Sequence, residues 1–223
     1  IDFERFTGIA PFKLTEFTAR PPHITFVART DRLWFATPFG KFCYRALGGL
    51  GLKKSLGQWF VLRQSTLIRK SMRRIRAEVP EVSFTVVGLA PSGGLDGLAE
   101  DLRTTRMDKE VELAWCRAYA KSHIVIGVHG SNMLLPTAHA AGLIEILPHD
   151  RFGNLAQDVS IRYRNRMQLF LYRFVDEFAP PSMVARNAVS MLRHFTLYYR
   201  NNQVNTFSND PRPSSAKANA YNA

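Results

Sequence analysis

Four short apolar runs, Ile24–Arg29, Val82–Gly88, Ile124–Val128 and Leu143–Leu147, set the terms on which this chain can fold. Each has the length and the β-branched content of a buried strand. Helical spacing separates them. Leu67, Ile68, Met72, Ile75 and Val79 recur about every 3.6 residues and predict a basic helix from about Thr66 to Val79, stopped by Pro80. Asp108 can cap a helix running to about Lys121. A shorter helix is expected over Asn132–Ala141. Met167–Tyr172 is read as a fifth strand, and Pro180-Pro181 as the opening of a last helix to about Arg200. Residues 30–60 carry many glycines and aromatics and read as a long ordered loop with some helix. Strand and helix alternate with short connections, which argues for an α/β domain: an open, mostly parallel sheet with helices on both faces.

Three segments follow: a lead-in or interdomain linker over 1–22, the α/β domain over 23–200, and a tail over 201–223 whose Asn, Ser, Pro and Ala composition predicts disorder. No period of 20 to 50 residues repeats, which excludes solenoids and propellers. Thirty Lys and Arg against eighteen Asp and Glu give the 223 residues a net charge of +12, which favours polyanions: nucleic acid, anionic lipid or phosphate-bearing small molecules. Two cysteines, Cys43 and Cys116, exclude a disulfide-dense scaffold and a cysteine-only zinc site. The longest apolar stretch, His123–Pro148, contains His129, Asn132, Pro136, His139 and Glu145, a series ill suited to a bilayer. No signal peptide is visible. The chain opens on Ile1, and is read as a portion of a longer product.

In an open parallel sheet, ligands bind beyond the carboxyl ends of the strands, where the strand order reverses. The residues after each strand are therefore the candidates. Gly127-Val-His-Gly-Ser-Asn132 follows an apolar strand and precedes a helix. Gly130 allows a tight turn or a close approach to a ligand, and Ser131 or Asn132 can cap the helix. His129 sits at the strand's end. An anion site and a glycine turn with a structural histidine both fit this spacing. Arg29-Thr-Asp-Arg32 follows the first strand, and two guanidinium forks there could clamp a diphosphate, although an ordinary charged loop is the simpler reading. Glu145 interrupts an apolar strand and must be paired or at an edge. It could accept from a sugar hydroxyl or brace a neighbour, and the brace is the simpler of the two.

The usual dinucleotide, P-loop, nucleophile-elbow and His-Glu-x-x-His motifs are absent from the sequence. So is an Asp-x-Asp pair. A bound diphosphate would be neutralised by Arg, His and a helix dipole rather than by a fixed metal ion.

The stretch Val111-Glu-Leu-Ala-Trp-Cys-Arg-Ala-Tyr-Ala-Lys-Ser-His-Ile-Val-Ile-Gly-Val-His-Gly-Ser-Asn-Met-Leu-Leu-Pro136, followed by Ala141-Gly-Leu-Ile-Glu-Ile-Leu-Pro148, resembles the C-terminal half of glycosyltransferase family 61. That family includes EGF-domain-specific O-linked N-acetylglucosamine transferases, plant xylosyltransferases and capsular-polysaccharide relatives. The resemblance runs in order over roughly residues 22–175 and is sharpest over 108–148. Ser131-Asn132 stands where the family has Ala-Gly.

The resemblance implies a GT-B architecture of two Rossmann-like domains, and an inverting transfer from a nucleotide-sugar, taken as a UDP-sugar, without metal or other cofactor. Carried onto this chain, it makes Arg29, Thr30 and Arg32 donor-binding residues facing the diphosphate. His129, Gly130, Ser131 and Asn132 would line the donor, and Glu145 would lie near the ribose or support the loop. His129 is the fallback catalytic base. The implied partners are a glycan or protein acceptor and the protein's own N-terminal domain, without which the chain is expected to be inactive. The compartment implied is the endoplasmic reticulum or Golgi lumen in a eukaryote, and the cytoplasmic side of the membrane in a bacterium. Two other readings stand beside it: a degenerate, non-catalytic interaction domain, and a basic nucleic-acid-binding module. No nucleic-acid motif supports the last.

Overall fold

The computed structural model describes residues 3–95, 97–154 and 167–203. Six parallel strands form one sheet in the order β3-β2-β1-β4-β5-β6. They are β1 (His23–Val27), β2 (Ser83–Leu89), β3 (Glu100–Thr104), β4 (Ile124–Val128), β5 (Gly142–Leu147) and β6 (Tyr172–Asp176). The helices are α1 (Phe3–Thr7), α2 (Pro38–Gly49), α3 (Lys53–Glu78), α4 (Lys109–Ala120), α5 (Leu134–His139), α6 (Met167–Leu171) and α7 (Pro181–Gln203). Helix α3 packs along α7 and α4 along α5, so both faces of the sheet are covered. This is the expected α/β, Rossmann-like class.

The central strands are apolar throughout because both their faces are covered. β1 and β4 are buried at every position. Register sets Val27 beside Gly127, Gly127 beside Glu145 and Glu145 beside Phe174. Gly88, at φ +121°, lets β1 and β2 close up at their carboxyl ends; a Cβ there would stand 1.9 Å from the Ala28 carbonyl oxygen.

Three expectations are corrected. The sheet has six strands, not five: β3, with the sequence Glu-Asp-Leu-Arg-Thr, is a half-exposed edge strand whose charges hid it. Met167–Leu171 is helix, and the strand at that edge begins at Tyr172. The stretch 30–60 is more helical than a loop with some helix: it holds α2, capped by the Thr37 hydroxyl, which accepts from the Gly40 N–H, and the start of α3, which begins at Lys53 rather than near Thr66. Helix α3 is 26 residues long, about 39 Å at ~1.5 Å per residue, roughly twice the length of the strands it covers. Among its described side chains the buried ones begin at Phe60. Its first two turns therefore overhang the carboxyl edge of the sheet, together with α2.

The passage from β2 to β3 takes only ten residues, 90–99, and no helix, although parallel neighbours usually need about a dozen or more. Gly93, Gly94 and Gly97 all have positive φ in this return. Arg103, on β3, is buried and fastens it. Its guanidinium donates to the Gly93 carbonyl (2.6 Å), to Ser65 Oγ on α3 (2.9 Å) and to Asp101 (2.7 and 2.8 Å).

The lead-in is packed on the domain. Phe12 and Phe17 are buried in the core, the Phe12 N–H donates to the His139 carbonyl (2.8 Å), and Phe17 stacks on Phe195 at 3.8 Å. Cys43 and Cys116 are unbridged. Arg162, Arg164, Arg166 and most of the expected tail lie outside the described residues.

Candidate functional site

The strand order reverses between β1 and β4. The segments that leave their carboxyl ends, residues 28–34 and 129–132, must therefore diverge around a crevice. Arg32 ties them together. Its guanidinium lies against Gly130, where a Cβ would stand 2.3 Å from Nη1, and Nη1 donates to the His129 carbonyl at 3.3 Å. Gly130 has φ +150°, a conformation that favours glycine. The glycine read from sequence as permitting a close approach is approached by this chain's own arginine.

Gln64 of α3, 3% exposed, holds the first segment from behind. Its Oε1 accepts from the Trp34 N–H (2.8 Å) and its Nε2 donates to the Arg29 carbonyl (3.2 Å). Trp34 Nε1 in turn donates to the Ala179 carbonyl (2.9 Å). The residues after β1 are thus fixed by α3 and by the turn before α7.

The expected donor-binding residues separate into different environments. Arg29, Ser131 and Asn132 come together on a cavity of about 160 Å³, with Met107, Trp115 and Tyr119 opposite. Asn132 Nδ2 donates to the Val128 carbonyl (3.3 Å), and its Oδ1 is buried without a partner. Arg29 donates twice to the Asp31 carboxylate (2.7 and 3.1 Å). Burial pushes the Asp31 carboxyl upward, but the Arg29 hydrogen bonds and charge outweigh this and hold it below the ordinary value. Arg32 faces a second cavity of about 190 Å³ with Lys41, Arg45 and Arg151. Thr30 faces a third, of about 910 Å³, between α3 and the glycine return. Arg29 and Arg32 line different recesses.

His129 and Glu145 lie beneath the crevice. The imidazole is 2% exposed and Glu145 fully buried, with Nδ1 2.6 Å from Oε2. Glu145 Oε1 has no partner. This arrangement braces the Gly130 turn from below. The imidazole that the resemblance makes the fallback base occupies this buried position.

Sequence reasoning passed over Glu112, Trp115 and Tyr119, which lie on the helix it expected between Asp108 and Lys121, and Gln64, which carries no motif. Only the pairing of β1 with β4 brings α4 over Arg29. Among the described residues, no group of three His, Cys, Asp or Glu side chains is placed to hold a metal ion.

Compared with models of known protein families and with curated proteins, the chain matches none.

Proposed function

We propose that the chain is the donor-binding domain of an inverting, metal-independent glycosyltransferase of GT-B architecture, related to family 61, taking a nucleotide-sugar with uridine as the base. The observation that carries this reading is the meeting of Arg29 with Ser131 and Asn132 on one cavity at the point where strand order reverses. Arg29 supplies a planar cation for a diphosphate. The unpartnered Asn132 Oδ1 accepts from a hydroxyl or amide of the ligand, since a buried acceptor gains most from a donor it lacks. Trp115 and Tyr119 supply the apolar wall that a nucleoside needs. Arg32, His129 and Glu145 hold the Gly130 turn, and transfer to a glycan or protein hydroxyl requires a second domain.

A thermal-shift screen against UDP, GDP, CMP and ADP, with and without EDTA, tests this. The expected result is a rise in Tm with UDP that survives EDTA and disappears in Arg29→Ala. An unchanged melt with every nucleotide at millimolar concentration rejects it. The burial of His129 favours a second reading, a domain that binds nucleotide without turnover. Product formation from a nucleotide-sugar by a longer protein containing this chain would eliminate that alternative.

A further inference from the structure

The overhanging hairpin of α2 and α3 combines two properties. The first is exposed apolar surface. Seven of the thirteen exposed large hydrophobic side chains among the described residues fall between Phe39 and Leu62. Phe39, Phe42, Leu50 and Leu62 are each 67–74% exposed, and Trp59 is 55% exposed. Apolar groups scattered singly need no explanation, but a contiguous set marks an interaction surface. The second is charge. Residues 32–77 contain eleven of the thirty Lys and Arg residues and none of the eighteen Asp and Glu.

The two properties are ordered along one stripe. Leu56, Trp59 and Leu62 recur on the outer side of α3, and Lys70, Arg73 and Arg74, all exposed, continue that side toward its C-terminus. The apolar end is the overhanging one. Arg63 lies 5.4 Å from the Trp59 ring centroid, which joins the two zones through a cation–π contact.

We infer that this hairpin docks on an anionic lipid surface. A nucleic acid would answer the charge but would leave Leu50, Leu56 and Leu62 in water. An apolar protein partner would cover the leucines but would offer nothing to Lys70 and Arg74, both exposed. The headgroup boundary of an anionic bilayer takes both: apolar tips enter the acyl edge, and Lys and Arg meet the phosphates. No helix among the described residues is long and apolar enough to cross a membrane, so the contact is interfacial. The hairpin overhangs the carboxyl edge of the sheet, so docking holds the crevice close to the headgroups.

Vesicle flotation with the whole chain tests the inference, with phosphatidylcholine alone compared with phosphatidylcholine containing phosphatidylglycerol. Trp34 and Trp115 are buried, so a vesicle-induced change in emission reports Trp59. The expected result is binding only to anionic vesicles, weakened by salt, with a blue shift that Trp59→Phe abolishes while binding persists. Leu50→Ser combined with Leu62→Ser should weaken binding roughly tenfold or more without changing the melting curve, because both side chains are exposed. Three outcomes each overturn it: no flotation at low salt, flotation without a Trp59 shift, or a Leu50→Ser/Leu62→Ser chain that binds as tightly as the parent. Binding to a DNA duplex but not to anionic vesicles also overturns it, and assigns the charge to nucleic acid.

Discussion

His129 Nδ1 lies 2.6 Å from Glu145 Oε2, and both side chains are shut away from solvent at the junction of β4 and β5. The pair sits directly under the turn at Gly130, so the two residues act on the crevice through backbone position. Removing Glu145 strips a hydrogen bond from the buried imidazole, which typically costs about 1–3 kcal/mol, and more where a group is charged. Glu145→Leu is therefore expected to lower the unfolding free energy by about 3 kcal/mol in urea. The double variant His129→Leu/Glu145→Leu should recover part of that loss. Additive losses would show that the pair is not coupled.

Gly130→Ala tests the turn itself. The substitution places a Cβ against the Arg32 guanidinium in a backbone conformation that side chains avoid. The expected loss is about 1–3 kcal/mol. Arg32 should also be displaced, with any UDP-induced rise in Tm reduced. A stability and a nucleotide response equal to the parent's would refute both effects.

Gln64→Leu keeps the side-chain volume nearly constant but leaves the Trp34 N–H and the Arg29 carbonyl without their partners. A loss of about 2 kcal/mol is expected, because buried backbone groups left unsatisfied cost that much. Hydrogen exchange should show faster opening at residues 29–34. Unchanged protection there would count against a clamp.

Stability should fall on mild acidification. Burial lowers His23 and His123 from 6.5 to about 4, with Lys121 and His123 opposing charge on His23 and Glu100 favouring it. The His23 N–H donates to His123 Nδ1 (3.1 Å), and His123 Nε2 meets the Phe17 carbonyl at 2.9 Å. These bonds suit the neutral ring, with its one proton on Nε2. Depressed histidine values mean that the unfolded chain binds protons first. The stabilisation is complete above about pH 6.5 and is lost as pH falls toward 4, on the order of 3 kcal/mol per histidine. Urea titrations from pH 7 to 4 should show that slope, and His123→Phe should reduce it. A flat profile would contradict the burial argument.

The strands most legible in the sequence were those buried on both faces. Ile124–Val128 reads from sequence with the bounds it has in the fold, because nothing but a covered strand suits such a run. β3 was illegible because a half-exposed edge strand carries polar side chains, Glu100, Asp101, Arg103 and Thr104, with Leu102 alone apolar. Gly48, Gly49, Gly51 and Gly57 disguised the α2–α3 hairpin, whose helices are held by packing on α7 and on each other. In the site, the segments after β1 and β4 were readable from the alternation of elements. The parting of Arg29 and Arg32 into separate recesses was not, since it depends on tertiary partners: Asp31 for Arg29, the His129 carbonyl for Arg32, and Gln64 behind the segment.

The helix-free return from β2 to β3 has a consequence for the wall of the domain. Right-handed crossovers that step in the same direction along a sheet deposit their helices on the same face, side by side. The first step, from β1 to β2, lays down α3; the second, from β2 to β3, lays down nothing. On the flank away from α7, α3 therefore has the return itself for a neighbour: Arg76 donates to the Leu98 carbonyl (2.9 Å) and Leu95 is buried. The roomy cavity bounded by Val61, Leu62 and the glycine strip lies between that return and α3.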